Sequence, residues 1–205
     1  MRERHIVLAI TGASGGVYGL RLGEELLRAG ARLSLLISKA GSMVLREECG
    51  LEWQGDPAAV ARKVEDYFPG GKAAYYDEND FLAPIASGSN APDAMVICPC
   101  SMGTLSRIAA GNSGTLLERC ADVILKEGRT LVLVPRETPL SVIHLENMLK
   151  LGRMGVRLVP AMPAFYSQPR SIDDLVNFMV GKVLDILGME HTLFKRWGGD
   201  AGTGD

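Results

Sequence analysis

The adjacent pair Arg136-Glu137 is the first place where residue types point to chemistry. An apolar run ending in Val134-Pro135 precedes it, and Thr138-Pro139 follows directly. Prolines on both sides predict a fixed loop that holds both charged head groups at the end of a strand. A guanidinium there can stabilise charge developing on a phosphate, and a neighbouring carboxylic acid can supply a proton. The ordinary alternative is a solvated surface pair, and the prolines favour the functional interpretation.

Small segments rich in glycine and hydroxyl groups form a second set of candidate site residues. Gly12-Ala13-Ser14-Gly15-Gly16 follows an apolar run and opens a helix-like segment, where backbone N–H groups can approach a phosphate. Its glycine spacing fits neither the dinucleotide fingerprint nor the Walker A loop, which disfavours those sites. Ser38, Ser101 and Thr104 follow two other apolar runs. Three such loops at strand ends predict a mononucleotide cradle.

The alternation of apolar runs with amphipathic segments supplies a framework for these residues. Continuous apolar runs are typical of strands buried on both faces of a sheet. Strands are predicted at residues 6–10, 33–37, 94–98, 131–134 and 156–159, and helices at 17–29, 40–49, 58–67, 101–110, 116–126, 142–151 and 173–187. Apart from its one helix, the segment 51–92 is less regular.

Alternating strands and helices with short links predict a three-layer α/β/α, Rossmann-like (flavodoxin-like) fold with a mostly parallel sheet. Ligands bind such sheets outside the carboxyl ends of the strands, where all the candidate loops fall. We expect one domain over residues 1–197 and a flexible tail over residues 198–205.

Composition excludes several classes of protein. Of the 205 residues, 47% are hydrophobic and 22% charged, and the formal net charge is −2. These values exclude a disordered chain and give no electrostatic support to nucleic-acid or anionic-membrane binding. No apolar run reaches the ~18 residues of a membrane span, and residues 6–10 are too few for a signal-peptide core. We therefore expect a cytoplasmic protein.

The cysteines point to no metal or redox site. Cys98-Pro99-Cys100 has neither the C-x-x-C redox spacing nor the spacing of a zinc ribbon, and the three histidines form no H-x-x-x-H pair. We expect free or packed thiols in a reducing compartment and no metal ion in the site.

Seven segments, in order along the chain, resemble the UbiX/Pad-type flavin prenyltransferases, which are similar in fold to flavin-dependent cysteine decarboxylases. The segments are I-T-G-A-S-G-G, L-I-S-K-A, A-S-G-S-N-A-P, M-V-I-C-P-C-S-M-G-T-L-S, L-V-P-R-E-T-P-L, H-L-E-N-M and P-A-F-Y-S-Q-P, between residues 10 and 169. The resemblance implies a metal-independent transfer of the dimethylallyl group of dimethylallyl phosphate to N5 and C6 of reduced FMN. The product, prenylated FMN, is the cofactor of UbiD-type decarboxylases. The resemblance also implies a homo-oligomer, dodecamer-like, with sites at subunit junctions.

The resemblance also assigns residues to the site. It places FMN against Gly12, Ala13, Ser14, Ser38, Ser101, Met102, Gly103, Thr104 and Arg136. It places the prenyl phosphate against Arg119, Lys126, Arg136, Glu137, Tyr166 and Lys182. The implied catalytic residues are Ser14, Glu48 and Glu137. Glu137 would protonate the departing phosphate, whereas Ser14 and Glu48 would position groups or relay protons, with Glu48 reaching a neighbouring active site.

Several of these residues have an ordinary structural explanation as well. Arg119 and Lys126 are seven residues apart on one predicted helix, which is also typical of surface ion pairs. Lys182 lies beside the apolar stripe of the last helix, where a snorkelling lysine gives the same pattern. Many relatives have arginine there, and lysine keeps the charge without the bidentate fork. Tyr166 fits a packing role, and Glu118 is expected on the surface of its helix.

Two other functions stay open. A flavin-dependent decarboxylase of the cysteine type would share the fold but has a catalytic histidine early in its chain, and the segment Ala13-Ser14-Gly15-Gly16-Val17 contains none. A non-catalytic FMN carrier subunit would share the cradle without the chemistry. Trp197 fits either an interface anchor or part of a lid.

Overall fold

One six-stranded sheet organises the computed structural model, which describes residues 3–197. The strands are β1 (His5–Ile10), β2 (Arg32–Ile37), β3 (Ala73–Tyr76), β4 (Ala94–Cys100), β5 (Thr130–Pro135) and β6 (Arg157–Leu158). Their order in the sheet is β3-β2-β1-β4-β5-β6, and every neighbouring pair is parallel. This is the doubly wound Rossmann order. The tail expected at residues 198–205 lies outside the described residues.

Within residues 3–197, six α-helices and two short 3₁₀ turns lie between these strands, and a seventh α-helix follows the last strand. The α-helices are α1 (Gly16–Arg28), α2 (Lys39–Cys49), α3 (Pro57–Tyr67), α4 (Met102–Ala109), α5 (Leu116–Lys126), α6 (Val142–Arg153) and α7 (Ile172–Leu187), and the 3₁₀ turns are Pro84–Ala86 and Gly88–Asn90. Each predicted helix and strand agrees with an observed one to within two residues at either end. Of the helices in the described part of the chain, none has the length and apolar character to cross a membrane.

Strand β3 is the element that sequence patterns missed. It has four residues, pairs only with β2 at the edge of the sheet, and keeps Ala74 exposed. A short edge strand buries too little surface to impose an apolar run or a clear alternation on its sequence.

The core consists of two layers, one on each face of the sheet. In β1 the side chains alternate, so Ile6, Leu8 and Ile10 pack in one layer and Val7 and Ala9 in the other. The first layer includes residues from α1, α3 and α7, and the second includes residues from α4, α5 and α6. Burial on both faces explains the continuous apolar runs and confirms the predicted three-layer α/β/α fold.

Candidate active site

The strand order reverses between β1 and β4, and the helices that follow these two strands cover opposite faces of the sheet. In such sheets the ligand crevice lies at the carboxyl ends of these strands, and this region is here called the crevice. Thr11 fixes this crevice. Its buried hydroxyl donates to the Pro99 carbonyl at 2.8 Å and accepts the Ser101 backbone N–H at 2.8 Å. The two strand ends are therefore locked together. Local sequence patterns did not reveal this role of Thr11, because its two partners lie about ninety residues away.

The glycine loop after β1 adopts a backbone that few other residues would accept. Gly15 has φ 109°, and a Cβ there would lie 2.7 Å from the Tyr18 ring. A Cβ on Gly41, in the first turn of α2, would lie 2.3 Å from the Ile10 carbonyl oxygen. Glycine at these positions allows α1 and α2 to begin directly against the end of β1.

Glu48, in the last turn of α2, contacts the glycine loop of its own chain. One carboxylate oxygen accepts the backbone N–H groups of Gly15 at 2.8 Å and Gly16 at 3.1 Å. Partial burial acts to raise the Glu48 pKa. The hydroxyl of Ser14, the two N–H groups and the charge of Arg136 outweigh it, so the pKa lies below its ordinary value. Within one chain Glu48 therefore contacts its own glycine loop, and its reach to a neighbouring active site stays a prediction.

Arg136 connects the end of β5 to the same loop. Its Nε donates to the Ser14 carbonyl at 3.2 Å, and the residue is half-buried. Glu137 beside it is exposed, and its carboxylate accepts the Thr138 backbone N–H at 3.0 Å. The structure thus brings Ser14, Glu48 and Arg136 into contact and puts an acid at the edge of the group.

Two further helices begin at this edge with serine caps. The Ser38 hydroxyl accepts the Gly41 N–H at 3.0 Å at the start of α2. The Ser101 hydroxyl accepts the Thr104 N–H at 3.2 Å at the start of α4, and donates to the Thr104 hydroxyl at 3.0 Å. Backbone N–H groups and hydroxyls therefore converge on the crevice from two helix starts, a donor set suited to a phosphate.

The other residues assigned to the prenyl phosphate lie in two separate clusters. In the first, here called the α5 cluster, Arg119 donates to the Ala86 carbonyl at 3.0 Å and pairs with Asp122 at 2.8 Å. Lys126 pairs with Glu127 at 2.5 Å beside Gly88. No hydrogen bond or ion pair within residues 3–197 joins this cluster to Arg136 or Glu137.

The second group, here called the aromatic cluster, lies on α7 and on the segments directly before and after it. Tyr166 packs edge-on against Phe178 and Trp197, with ring centroids 5.8 and 5.2 Å apart. Phe178 contacts Phe194, and the Lys182 ammonium lies 5.9 Å from the centroid of the Phe194 ring. Lys182 is exposed, so within one chain it has the snorkelling geometry.

Comparison with known proteins identifies the family. The Flavoprotein family model matches residues 1–184. A flavin prenyltransferase UbiX from Alkalihalophilus pseudofirmus is 55% identical, over 96% of this chain and 97% of the relative. Another from Pseudomonas aeruginosa is 50% identical, over 94% and 93%. This chain belongs to the UbiX flavin prenyltransferase family of flavoproteins.

Solved structures of UbiX-type proteins have the same fold. A crystal structure of AnUbiX (PadA1) in complex with FMN and dimethylallyl pyrophosphate has a TM-score of 0.84 and 40% identity, covering 97% of this chain and 99% of that one. A dodecameric FMN-dependent UbiX-like decarboxylase from Escherichia coli O157:H7 has a TM-score of 0.85 and 43% identity, covering 95% and 100%. A PPC decarboxylase at 18% identity and TM-score 0.59 shows the fold alone.

One expectation for this UbiX-family chain was wrong. Glu118 is not a surface residue: it is 3% exposed and pairs with Arg107 of the preceding helix, while accepting the Gly114 N–H at 2.8 Å. Spacing along α5 alone cannot show a partner on α4. Sequence reasoning missed Arg107 for the same reason.

Among residues 3–197, no three histidine, cysteine, aspartate or glutamate side chains are grouped to hold a metal ion.

Proposed function

We propose that this chain is a flavin prenyltransferase that transfers the dimethylallyl group of dimethylallyl phosphate to reduced FMN. The observation that carries the proposal is the Arg136-Glu137 pair, with Arg136 bonded to the glycine loop beside the donor-lined crevice. A cation and an acid thus flank a site suited to a flavin phosphate. The UbiX relatives and the neighbour bound to FMN and dimethylallyl pyrophosphate support the same function.

The crevice residues fit FMN. Two helix starts with serine caps offer hydrogen-bond donors, and neither cap carries a side-chain charge that would repel a phosphate. When bound, FMN supplies the ring atoms N5 and C6 that the dimethylallyl group joins. The residues proposed to hold it are Gly12, Ala13, Ser14, Ser38, Ser101, Met102, Gly103, Thr104 and Arg136.

Arg136 and Glu137 would act on the leaving phosphate. As the C–O bond of dimethylallyl phosphate breaks, negative charge gathers on phosphate, and the guanidinium of Arg136 stabilises it. Glu137 then supplies a proton to the departing oxygen. The exposed position of Glu137 leaves its carboxyl accessible to a substrate that enters from solvent.

Glu48 and Ser14 would handle protons at the flavin. The low pKa of Glu48 keeps it ionised, so the Ser14 hydroxyl donates to Glu48. The Ser14 oxygen is then free to accept a hydrogen bond from a ligand N–H in the crevice. This pair can therefore orient a ligand N–H and relay a proton released during bond formation.

The proposal extends to the assembly. One chain keeps the prenyl-phosphate residues in three places: Arg136-Glu137, the α5 cluster and the aromatic cluster. Contacts between subunits of a homo-oligomer, dodecamer-like as in the E. coli relative, would bring them together. We also propose a single domain over residues 1–197 and a UbiD-type decarboxylase as the recipient of the product. We further propose a cytoplasmic location, which the four free cysteines support.

Anaerobic incubation with reduced FMN and dimethylallyl phosphate tests the function. We expect release of inorganic phosphate together with a changed flavin absorbance spectrum, and neither change when dimethylallyl phosphate is omitted. An unchanged flavin without phosphate release would indicate a carrier subunit. Carbon dioxide released from a peptide with a carboxyl-terminal cysteine would instead indicate a decarboxylase.

A further inference from the structure

An ion pair between a half-exposed arginine and a buried glutamate lies beside the Ser101–Thr104 segment. Arg107 pairs through Nε with Glu118, whose side chain is 4% exposed and also accepts the Gly114 N–H. A second nitrogen of the same guanidinium donates to the Thr104 hydroxyl at 3.3 Å. The third nitrogen lies 3.4 Å from where a Cβ on Gly103 would be. Arg107 belongs to the last turn of α4, and its guanidinium therefore reaches back beside the first-turn residues Gly103 and Thr104.

The charge of Arg107 also reaches the start of α2. The Glu78 carboxylate accepts the Lys39 backbone N–H, next to the cap residue Ser38. Burial raises the pKa of Glu78, and among the opposing effects are the Lys39 N–H and the positive charge of Arg107. The positive charge of Arg107 therefore acts on a carboxylate that is itself bonded to the start of α2.

An arginine in this position has an electrostatic cost. The start of a helix carries partial positive charge, so a cation beside the first turn of α4 is disfavoured. Glu118 offsets that charge, and because its carboxylate is buried the pair cannot separate into water without leaving an uncompensated charge. An anion bound at the two helix starts would reverse the sign of the interaction.

The hydrogen bonds around Thr104 also favour an anion at the start of α4. Its oxygen accepts from Ser101 and from Arg107, which uses both of its lone pairs. Its own proton then remains available for an acceptor at the start of α4. Without Arg107, the hydroxyl has a free lone pair and can turn away from that direction.

We infer that Arg107, held by Glu118, is a positioning residue for the phosphate group of FMN, acting through the Thr104 hydroxyl and through its charge. This inference rests on the proposed placement of FMN in the crevice. The inferred role concerns the phosphate end of FMN and not its ring, because Arg107 contacts neither the glycine loop nor Arg136.

Flavin binding by the intact oligomer tests the inference, with riboflavin as the probe that lacks the phosphate. In Arg107→Gln we expect FMN affinity, measured by fluorescence titration, to fall about 10–100-fold, because a charge-assisted hydrogen bond is lost. Riboflavin affinity should stay within about twofold of wild type, since both probes share the ring. The salt dependence of FMN binding should also become weaker.

Matched variants separate positioning from folding. Because Arg107→Gln leaves Glu118 buried without its partner, the double variant Arg107→Gln/Glu118→Gln removes both charges and should lose FMN affinity to a similar extent. Arg28→Gln is the control: Arg28 also pairs with a buried glutamate, Glu25, but at the other end of α1. It should bind both flavins as wild type does.

The outcomes are distinct. Equal losses of FMN and riboflavin affinity, or unchanged FMN affinity in both Arg107 variants, would overturn the inference. So would a wild-type protein that binds FMN no better than riboflavin. A wild-type protein that prefers FMN yet transfers no prenyl group would contradict the proposed reaction, while the variants would still decide the role of Arg107.

Discussion

Single side chains tie distant parts of the chain together around the crevice. Thr11 joins the ends of β1 and β4, and Arg136 joins the end of β5 to the glycine loop. Glu48 occupies the Gly15 and Gly16 N–H groups at the start of α1, whereas the starts of α2 and α4 are the other candidate donors for the phosphate of FMN. In the proposed function, the chemistry at the residue scale depends on Arg136 and Glu137.

Replacing Glu137 by glutamine tests its role as an acid. The variant keeps size and hydrogen-bonding capacity but has no proton to give, so we expect single-turnover formation of prenylated flavin to slow by about 10²–10⁴-fold. FMN binding should survive, because the Glu137 carboxylate contacts only its own loop among the described residues.

The control is Glu65→Gln, since Glu65 is exposed on α3 and contacts no proposed site residue through a hydrogen bond or ion pair in the described chain. Near wild-type turnover in Glu137→Gln would remove the acid role and leave Arg136 as an electrostatic catalyst. Loss of bound FMN would show that Glu137 instead holds the loop in place.

At the scale of elements, the start of β1 contains a buried histidine. His5 Nε2 lies 2.8 Å from the Ser34 hydroxyl of β2, and its backbone N–H donates to Asp93. Burial and then the charge of Arg32 lower the His5 pKa from 6.5 to about 4, against the opposing effects of Asp93 and Glu3. The folded state therefore favours the neutral ring.

This pKa predicts a loss of stability in acid. The folded pKa is below the unfolded one, so the contribution of His5 is complete above pH 6.5 and is lost as pH falls towards 4, by about 3 kcal/mol at most. Urea unfolding between pH 7 and pH 4 measures it. His5→Gln should show a smaller decline than wild type, and His144→Gln should decline as wild type does. Equal declines in all three proteins would contradict the prediction.

At the scale of the whole molecule, we propose that neighbouring subunits complete each site. This proposal predicts that two inactive variants restore activity when their subunits assemble together. Glu137→Gln alters the crevice and Lys182→Met alters the aromatic cluster, so each homo-oligomer should have little activity. Co-expressed subunits that assemble together should regain activity in about a quarter of the sites, where both contributing chains are intact. Light scattering checks that the assemblies form.

A mixture as inactive as the single variants, or an active monomer in light scattering, would contradict shared sites. Separate expression followed by mixing of stable oligomers provides the control, because subunits that do not exchange cannot complement each other.

Local sequence alone determined most of the fold. Strands buried on both faces require continuous apolar runs, and helices that cover them require amphipathic periods, so most elements and the α/β/α class followed from local patterns. The strand-end loops containing Ser14, Ser38, Ser101 and Arg136 followed in turn, because parallel strands place those loops at one edge.

Only the tertiary structure decided which side chains meet. Glu48 bonds to Gly15, Thr11 to Pro99 and Arg107 to Glu118 across boundaries between elements, and such contacts leave no period in the sequence. The short edge strand β3 also depends on its partner β2 rather than on its own residues. Backbone patterns reflect burial within one element, whereas hydrogen bonds between elements depend on how the elements pack, and that packing is set by the whole chain.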